Sequence, residues 1–189
     1  MHSFVAPWGI AGGWALSLFA GRPLRQHGDV DVAILRAHQH RLRIDLKPDS
    51  AEHVAAGVVR PWPPGEWLRP PIHEVYVTWN DGTRLEVLLN DADLATDTWL
   101  YRRDMRVRRA LDRSFVRAGS VPILSPEIVL LYKSKAPRPQ DESDFAAVLP
   151  LLASNQCEWL RMALETTAPG HPWVDTIARE AYGPGHTES

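Results

Sequence analysis

The chain is poor in cysteine: Cys157 stands alone among 189 residues, so neither a disulfide framework nor a cysteine zinc site can be built within it. A reducing, cytoplasmic setting is therefore expected. Net charge is almost absent too, with 21 Lys and Arg against 23 Asp and Glu for a formal -2. That balance argues against a dedicated nucleic-acid binder, a class marked by excess Lys and Arg. No internal repeat or low-complexity tract occurs. A clean apolar run is missing as well. Phe4 to Gly21 carries no charge, but Pro7, Gly9, Gly12 and Gly13 interrupt it and no Lys or Arg precedes it, so it reads as neither a signal peptide nor a spanning helix. What remains is a chain 44% hydrophobic, long enough for one compact domain or a domain with a small appendage.

Trp8 to Ala11 reads as a short buried strand, Gly12 and Gly13 as a turn, and Trp14 to Ala20 as a helix closed by Gly21. After a loop over Arg22 to His27, Gly28 to Leu35 has strand periodicity, with Asp29 and Asp31 on one face and Val30, Val32 and Ile34 on the other. Ala37 to Leu46 reads as an exposed helix, and the prolines of Arg60 to Pro71 demand an irregular segment. His73 to Trp79 and Thr83 to Leu89 form a hairpin through Asn80-Asp81-Gly82. Its second strand places Leu85, Val87 and Leu89 on one face and Arg84, Glu86 and Leu88 on the other. A further strand is predicted over Trp99 to Arg103. Ser125 with Pro126 starts a helix over Glu127 to Lys135, followed by helices over Asp141 to Leu149 and Asn155 to Glu165 and a last short helix beyond Trp173. This divides the chain into an α/β part, residues 1–118, and a helical part, residues 119–189.

A Gly-Gly turn opening a helix, followed by Asp-x-Asp on a strand, is the pattern of a phosphate site beside a metal site. Glycines let the backbone approach a ligand, and a helix N-terminus offers unpaired N–H groups to an anion. Asp29 and Asp31 can hold Mg2+ through hard oxygen ligands, and Glu86, opposite the apolar face of its strand, is the best third carboxylate. Three carboxylates on one or two metals is what phosphoryl and nucleotidyl transfer needs. An Asp-x-Asp by itself is usually a solvated face or turn, Gly12-Gly13 by itself merely a turn, and Glu86 by itself a partner for Arg84 or a cross-strand cation. The combination and its order carry the reading, because two unpaired acids in an otherwise apolar strand are costly.

These residues resemble a family. Gly12-Gly13-Trp14-Ala15-Leu16, Gly21-Arg22 and Arg25-Gln26-His27-Gly28-Asp29-Val30-Asp31-Val32 look like the signature of the aminoglycoside 2''-adenylyltransferase-like branch of the polymerase-beta-type nucleotidyltransferase superfamily. The likeness continues in Tyr101-Arg102-Arg103-Asp104, Ser125-Pro126-Glu127 to Lys133, Arg138-Pro139-Gln140-Asp141-Glu142 to Asp144-Phe145, and Pro169-Gly170-His171-Pro172-Trp173. It implies an α/β (α+β) fold, a polymerase-beta-like nucleotidyltransferase core of a small mixed sheet flanked by helices, with a C-terminal helical part. It also implies two Mg2+ ions and ATP as co-substrate, with Asp29 and Asp31 as metal ligands, Glu86 as the third carboxylate acting as metal ligand or general base, and Gly12 and Gly13 against the triphosphate. The family pattern has a helix before the first strand, whereas seven residues precede Trp8. Either the start lies upstream of Met1 or a flanking layer is reduced. Ile44 to Val59 fits the pattern poorly, and Gln140 stands where a Lys is expected.

Other candidates carry two readings each. Arg25 and His27 either contact phosphate or orient Asp29 and Asp31. Lys133 either binds triphosphate, as the resemblance implies, or stabilises a helix end and pairs with Asp141 or Asp144; Lys135 is the weaker candidate. His38, Gln39 and His40 read as solvated surface. Trp62 and Trp67 either peg a proline-rich loop or stack on a sugar or base. Tyr101 to Ala118 holds seven Arg and two Asp, a net of +5 that leaves -7 for the rest, so near-neutrality is a cancellation that suits a triphosphate held between a basic segment and an acidic half.

The expected activity is Mg2+-dependent transfer of AMP from ATP to a hydroxyl of a small molecule, an aminoglycoside-like antibiotic among the candidates, with release of pyrophosphate. Neither a membrane nor a nucleic acid is expected as a partner. The rivals are a nucleotidyltransferase acting on a protein or tRNA, and a catalytically silent, antitoxin-like nucleotide-binding regulator.

Overall fold

The structure, a computed structural model, describes residue 1 and residues 3–182. The chain runs β1 (Trp8–Ile10), α1 (Gly12–Phe19), β2 (Asp31–Leu35), α2 (Arg41–Leu46), β3 (Ser50–Ala55), β4 (Val58–Pro61), β5 (Glu74–Thr78), β6 (Arg84–Asp93), β7 (Thr98–Leu100), β8 (Arg108–Ala110), β9 (Phe115–Ala118) and β10 (Val121–Leu124). It closes with α3 (Pro126–Lys133), α4 (Pro139–Val148), α5 (Ser154–Thr167) and α6 (Pro172–Tyr182). Among the described residues the strands form one mixed sheet ordered β4-β3-β5-β6-β2-β1-β10-β9, with β7 and β8 added at the far end of β6. No helix among them is long and apolar enough to cross a membrane.

Period-two alternation gives the sheet two apolar faces. Val32, Ile34, Val75, Val77, Val87 and Leu89 pack with Leu42 and Trp62 on one side. On the other, Ala33 and Ile123 meet Leu16, Leu130, Leu160 and Leu164 from the helices. Each fully buried Leu or Ile contributes about 1.5–3 kcal/mol. Asp31 and Glu86 have the parity of Ala33 and Leu88, so they lie on the helix-facing side, at the point where the helices cease to cover the sheet.

Several local expectations are corrected. β2 begins only at Asp31, because residues 28–30 have no partner strand and Asp29 sits in the loop leading in. The predicted helix over Ala37 to Leu46 is broken into a 3-10 turn, Arg36–His38, and the short α2. The break serves burial: Gln39, predicted as surface, is fully buried, donating to the Leu68 carbonyl (3.2 Å) and accepting from the Leu68 N–H (2.8 Å). Trp62 is the buried peg of the proline-rich loop, while Trp67 is 44% exposed and edges against His40.

The residues that fit the family pattern poorly supply β3 and β4 at one edge of the sheet. β7 stops at Leu100, where Tyr101 to Val107 turns back through Tyr101 N–H to Val107 C=O (3.0 Å) and Val107 N–H to Asp104 C=O (3.0 Å). β10, beyond residue 119, pairs in parallel with β1 and antiparallel with β9, and α3 to α6 follow it.

Candidate active site

The site begins at the junction of β1 and α1. Gly12 has φ +60°, and a Cβ there would lie 2.2 Å from Asp31 Oδ2; at Gly13 it would lie 2.3 Å from His27 Cε1 and 2.6 Å from Arg25 Nη2. A side chain at Gly12 would displace the Asp31 carboxylate and one at Gly13 would push aside the ends of His27 and Arg25, so the bare backbone lies close against these groups. The residue capping α1 is Ala11, which supplies no side-chain oxygen, so the first-turn N–H groups open into the cleft uncapped.

Parallel pairing of β2 and β6 sets Asp31 opposite Glu86, and Asp29 comes in from the preceding loop. Carboxylate oxygens of Asp29, Asp31 and Glu86 lie within 4.8 Å of one another. Among the described residues none of the three forms an ion pair; the charges of Lys133 on Asp31 and of Arg84 on Glu86 act at a distance and are outweighed. Arg84, the sequence-level rival partner of Glu86, lies over the Tyr76 ring at 3.9 Å and 3.8 Å from Glu52 instead. Burial, then the charges of Asp31, Glu74 and Asp29, push Glu86 up to about 7. Burial and the charges of Asp29 and Glu74 likewise raise Asp31. Hard oxygen donors in such mutual repulsion fit a divalent cation of the Mg2+ type.

Beside the triad runs a paired network. Lys133 Nζ donates to Asp141 Oδ1 (2.5 Å) and lies 3.1 Å from Asp144 Oδ2, Arg25 Nε is 3.3 Å from Asp144, and Arg138 Nε is 2.8 Å from Asp141. Burial would raise the Asp141 carboxyl, but the hydrogen bonds from Arg138 and Lys133 hold it well below the usual carboxylate range. Lys133 is thus paired with both predicted acids and lines the cleft as well. Arg25 orients Asp144 rather than Asp29 or Asp31. His27 joins neither acid: its Nε2 is 2.9 Å from Ser17 Oγ, its ring packs on Trp14, and burial, reinforced by Arg25, lowers its pKa.

The cleft holds about 530 Å³ and also brings in His73, Asn90, Arg102, Arg103 and Tyr132. Asn90 continues the Glu86–Leu88 face and was hidden by ending the predicted strand at Leu89. Of the seven arginines in the basic segment, Arg102 and Arg103 reach the cleft. Arg109 is instead buried in an ion pair with the fully buried Glu127, and Arg106 pairs with Asp104 at 2.6 Å.

The fold is that of solved antibiotic nucleotidyltransferases. ANT(2'')-Ia in complex with adenylyl-2''-tobramycin superposes with a TM-score of 0.52 at 17% identity, over 86% of this chain and 89% of that one. The solution structure of ANT(2'')-Ia gives 0.51 at 18% identity over 85% and 82%. The lincosamide antibiotic adenylyltransferase LnuA, lincomycin-bound, gives 0.50 at 14% identity over 77% and 87%. No curated protein sequence matches the chain. Residues 1–148, which hold the glycine turn, the three carboxylates and the Lys133 network, match the aminoglycoside-2''-adenylyltransferase family. The chain belongs to that family and is a nucleotidyltransferase.

Proposed function

We propose that the protein transfers AMP from ATP to a hydroxyl group of a small-molecule antibiotic. The convergence of Asp29, Asp31 and Glu86 within 4.8 Å beside an uncapped helix N-terminus is the observation that carries this reading. Asp29, Asp31 and Glu86 would hold Mg2+, which supplies positive charge for the phosphate oxygens when bound.

The chain's own groups account for the rest. The Gly12 and Gly13 backbone and the start of α1 receive phosphate oxygens, Lys133 and Arg25 add positive charge at the same rim, and His27 can add a hydrogen bond there. Glu86, set opposite Asp31 by the β2–β6 pairing, is the triad member that either completes the metal site or takes the acceptor's proton. The acceptor oxygen then bonds to the α-phosphorus, the bond from that phosphorus to the bridging oxygen breaks, and pyrophosphate leaves with the bonding pair.

The test is a pyrophosphate-release assay with ATP, Mg2+ and a panel of aminoglycosides and lincosamides, run on the wild type and on Asp31→Asn. Acceptor-dependent release that the substitution abolishes supports the reading. Full release by Asp31→Asn, or label appearing on protein or tRNA instead of a small molecule, would sink it.

A further inference from the structure

The charges lining the cleft divide into those with a partner on the protein and those without. Arg25, Lys133 and Arg138 are matched by Asp141 and Asp144. Asp141 lines the cleft, but Lys133 and Arg138 saturate it. Among the described residues, the unmatched lining groups are the carboxylates of Asp29, Asp31 and Glu86 and the cations Arg102, Arg103 and Lys135. Arg102 and Arg103 are held by aromatic contacts and not by acids. Their guanidinium carbons lie 5.3 and 5.4 Å from the Tyr132 ring, and Arg103 Nη1 donates to the Tyr132 carbonyl (3.0 Å) and the Tyr101 hydroxyl oxygen (3.2 Å).

Among the described strand residues, Glu52 and Glu74 are further carboxylates on this side of the sheet; Glu52 meets Arg84 at 3.8 Å, and neither is part of the cleft lining, though the charge of Glu74 reaches Asp31 and Glu86. Glu74 shares the face of Tyr76, whose hydroxyl donates to it. Within the described lining itself, a molecule with several ammonium groups would therefore meet unmatched cations and no unpaired carboxylate beyond the triad. The metal-binding role proposed above removes the triad as well. If Arg102, Arg103 and Lys135 all turned to the triphosphate, the rest of the lining outside the triad would still offer only the already paired Arg25, Lys133, Arg138 and Asp141 and uncharged groups such as Leu88, Asn90 and Tyr132. Like charges across an interface exclude partners more strongly than matched ones attract them.

We infer that the acceptor is an uncharged polyhydroxylated molecule, such as a neutral glycoside, and not a polycationic aminoglycoside. This rests on the proposed nucleotidyl transfer and narrows its acceptor. Arg102 and Arg103 act as specificity-determining residues: they turn away ammonium groups and offer donors to acceptor oxygens.

The test titrates tobramycin into the wild type and into Arg102→Glu/Arg103→Glu, both with saturating Mg2+ and a non-hydrolysable ATP analogue, by calorimetry at low ionic strength. The wild type should show no tobramycin binding below the millimolar range, and the double variant should gain roughly tenfold or more in affinity. Lys135→Glu, at an exposed position, should gain in the same direction and serves if the double variant does not fold. Micromolar binding of tobramycin to the wild type, or no gain in a folded variant, overturns the inference. Failure of the wild type to bind the Mg2+–ATP analogue overturns the proposed function, and this inference with it. Analogue binding together with tight tobramycin binding overturns the inference alone.

Discussion

Asp31 and Glu86 occupy facing positions of two parallel strands, so backbone pairing, and no ion pair among the described residues, holds their carboxylates together. The arrangement stores repulsion that folding has to overcome, and it makes the site costly while it holds no cation.

Glu86→Gln should therefore stabilise the metal-free protein while abolishing transfer. The Glu86 carboxyl titrates near 7 in the folded chain against an ordinary 4.5, so between these values the folded state keeps a proton that the unfolded state has released. Stability is lost as pH rises through that window. Because Glu86 is only half-buried and screened by solvent, the gain for the Gln variant is about 1 kcal/mol, or roughly 2–4 °C for a chain of this length. Thermal melts in EDTA should coincide for the two proteins at pH 5 and separate at pH 8. Coincident melts at both pH values would contradict the assignment.

In wild type the same group links cation binding to pH. Occupying the triad requires Glu86 to release its proton, so Mg2+ affinity should rise from pH 6 to pH 8 and binding should release protons. Calorimetry in buffers of different ionisation enthalpy reads both. An affinity that does not change with pH would argue against Glu86 as a ligand.

Gly12→Ala should be more damaging than Gly13→Ala. Gly12 combines φ +60° with an Asp31 carboxylate 2.2 Å from the new methyl, a backbone penalty of about 1–2 kcal/mol plus displacement of a triad oxygen. At Gly13 the clash is with the ends of the His27 and Arg25 side chains, which can move. Melting temperature and kcat/KM for ATP should both order the variants this way.

Lys133→Met should cost about 3 kcal/mol in stability, because Asp141 and Asp144 are buried and each loses one of its cations. Lys133→Met/Asp144→Asn should recover part of that stability without recovering KM for ATP. Urea unfolding measures the first quantity and steady-state kinetics the second.

Gln39→Ala should loosen the segment from Trp62 to Ile72, whose Leu68 it holds through both backbone groups. A loss of about 1–3 kcal/mol is expected for the buried hydrogen-bonding groups left behind. Limited proteolysis should then cut first within residues 62–72.

The glycine turn, the hairpin, the carboxylates and the C-terminal helices were legible in the residues because each rests on local chemistry: a turn dipeptide, a two-residue alternation, a Ser-Pro helix start. β8, β9 and β10 were not. Arg108-Arg109-Ala110 and Phe115 to Ala118 have no apolar alternation of their own and become strands only because β7 and β10 lie beside them. Gln39 was misread for the opposite reason: a polar residue in a polar run is buried because a distant backbone, Leu68, offers both a donor and an acceptor. In the site, the carboxylates could be paired by parity, whereas Arg25 with Asp144 spans 119 residues, and no spacing rule reaches so far.

Lys133, clasped by Asp141 and Asp144, also bears on how fast the cleft can respond. A free lysine side chain surrenders about 2 kcal/mol of rotamer freedom when an anion fixes it. Here that freedom is already gone when the chain folds, and the ammonium keeps its remaining hydrogen-bonding capacity in a set direction. An anion arriving in the cleft meets a charge that has no search left to make, so its capture at that position should be limited by diffusion and not by side-chain rearrangement.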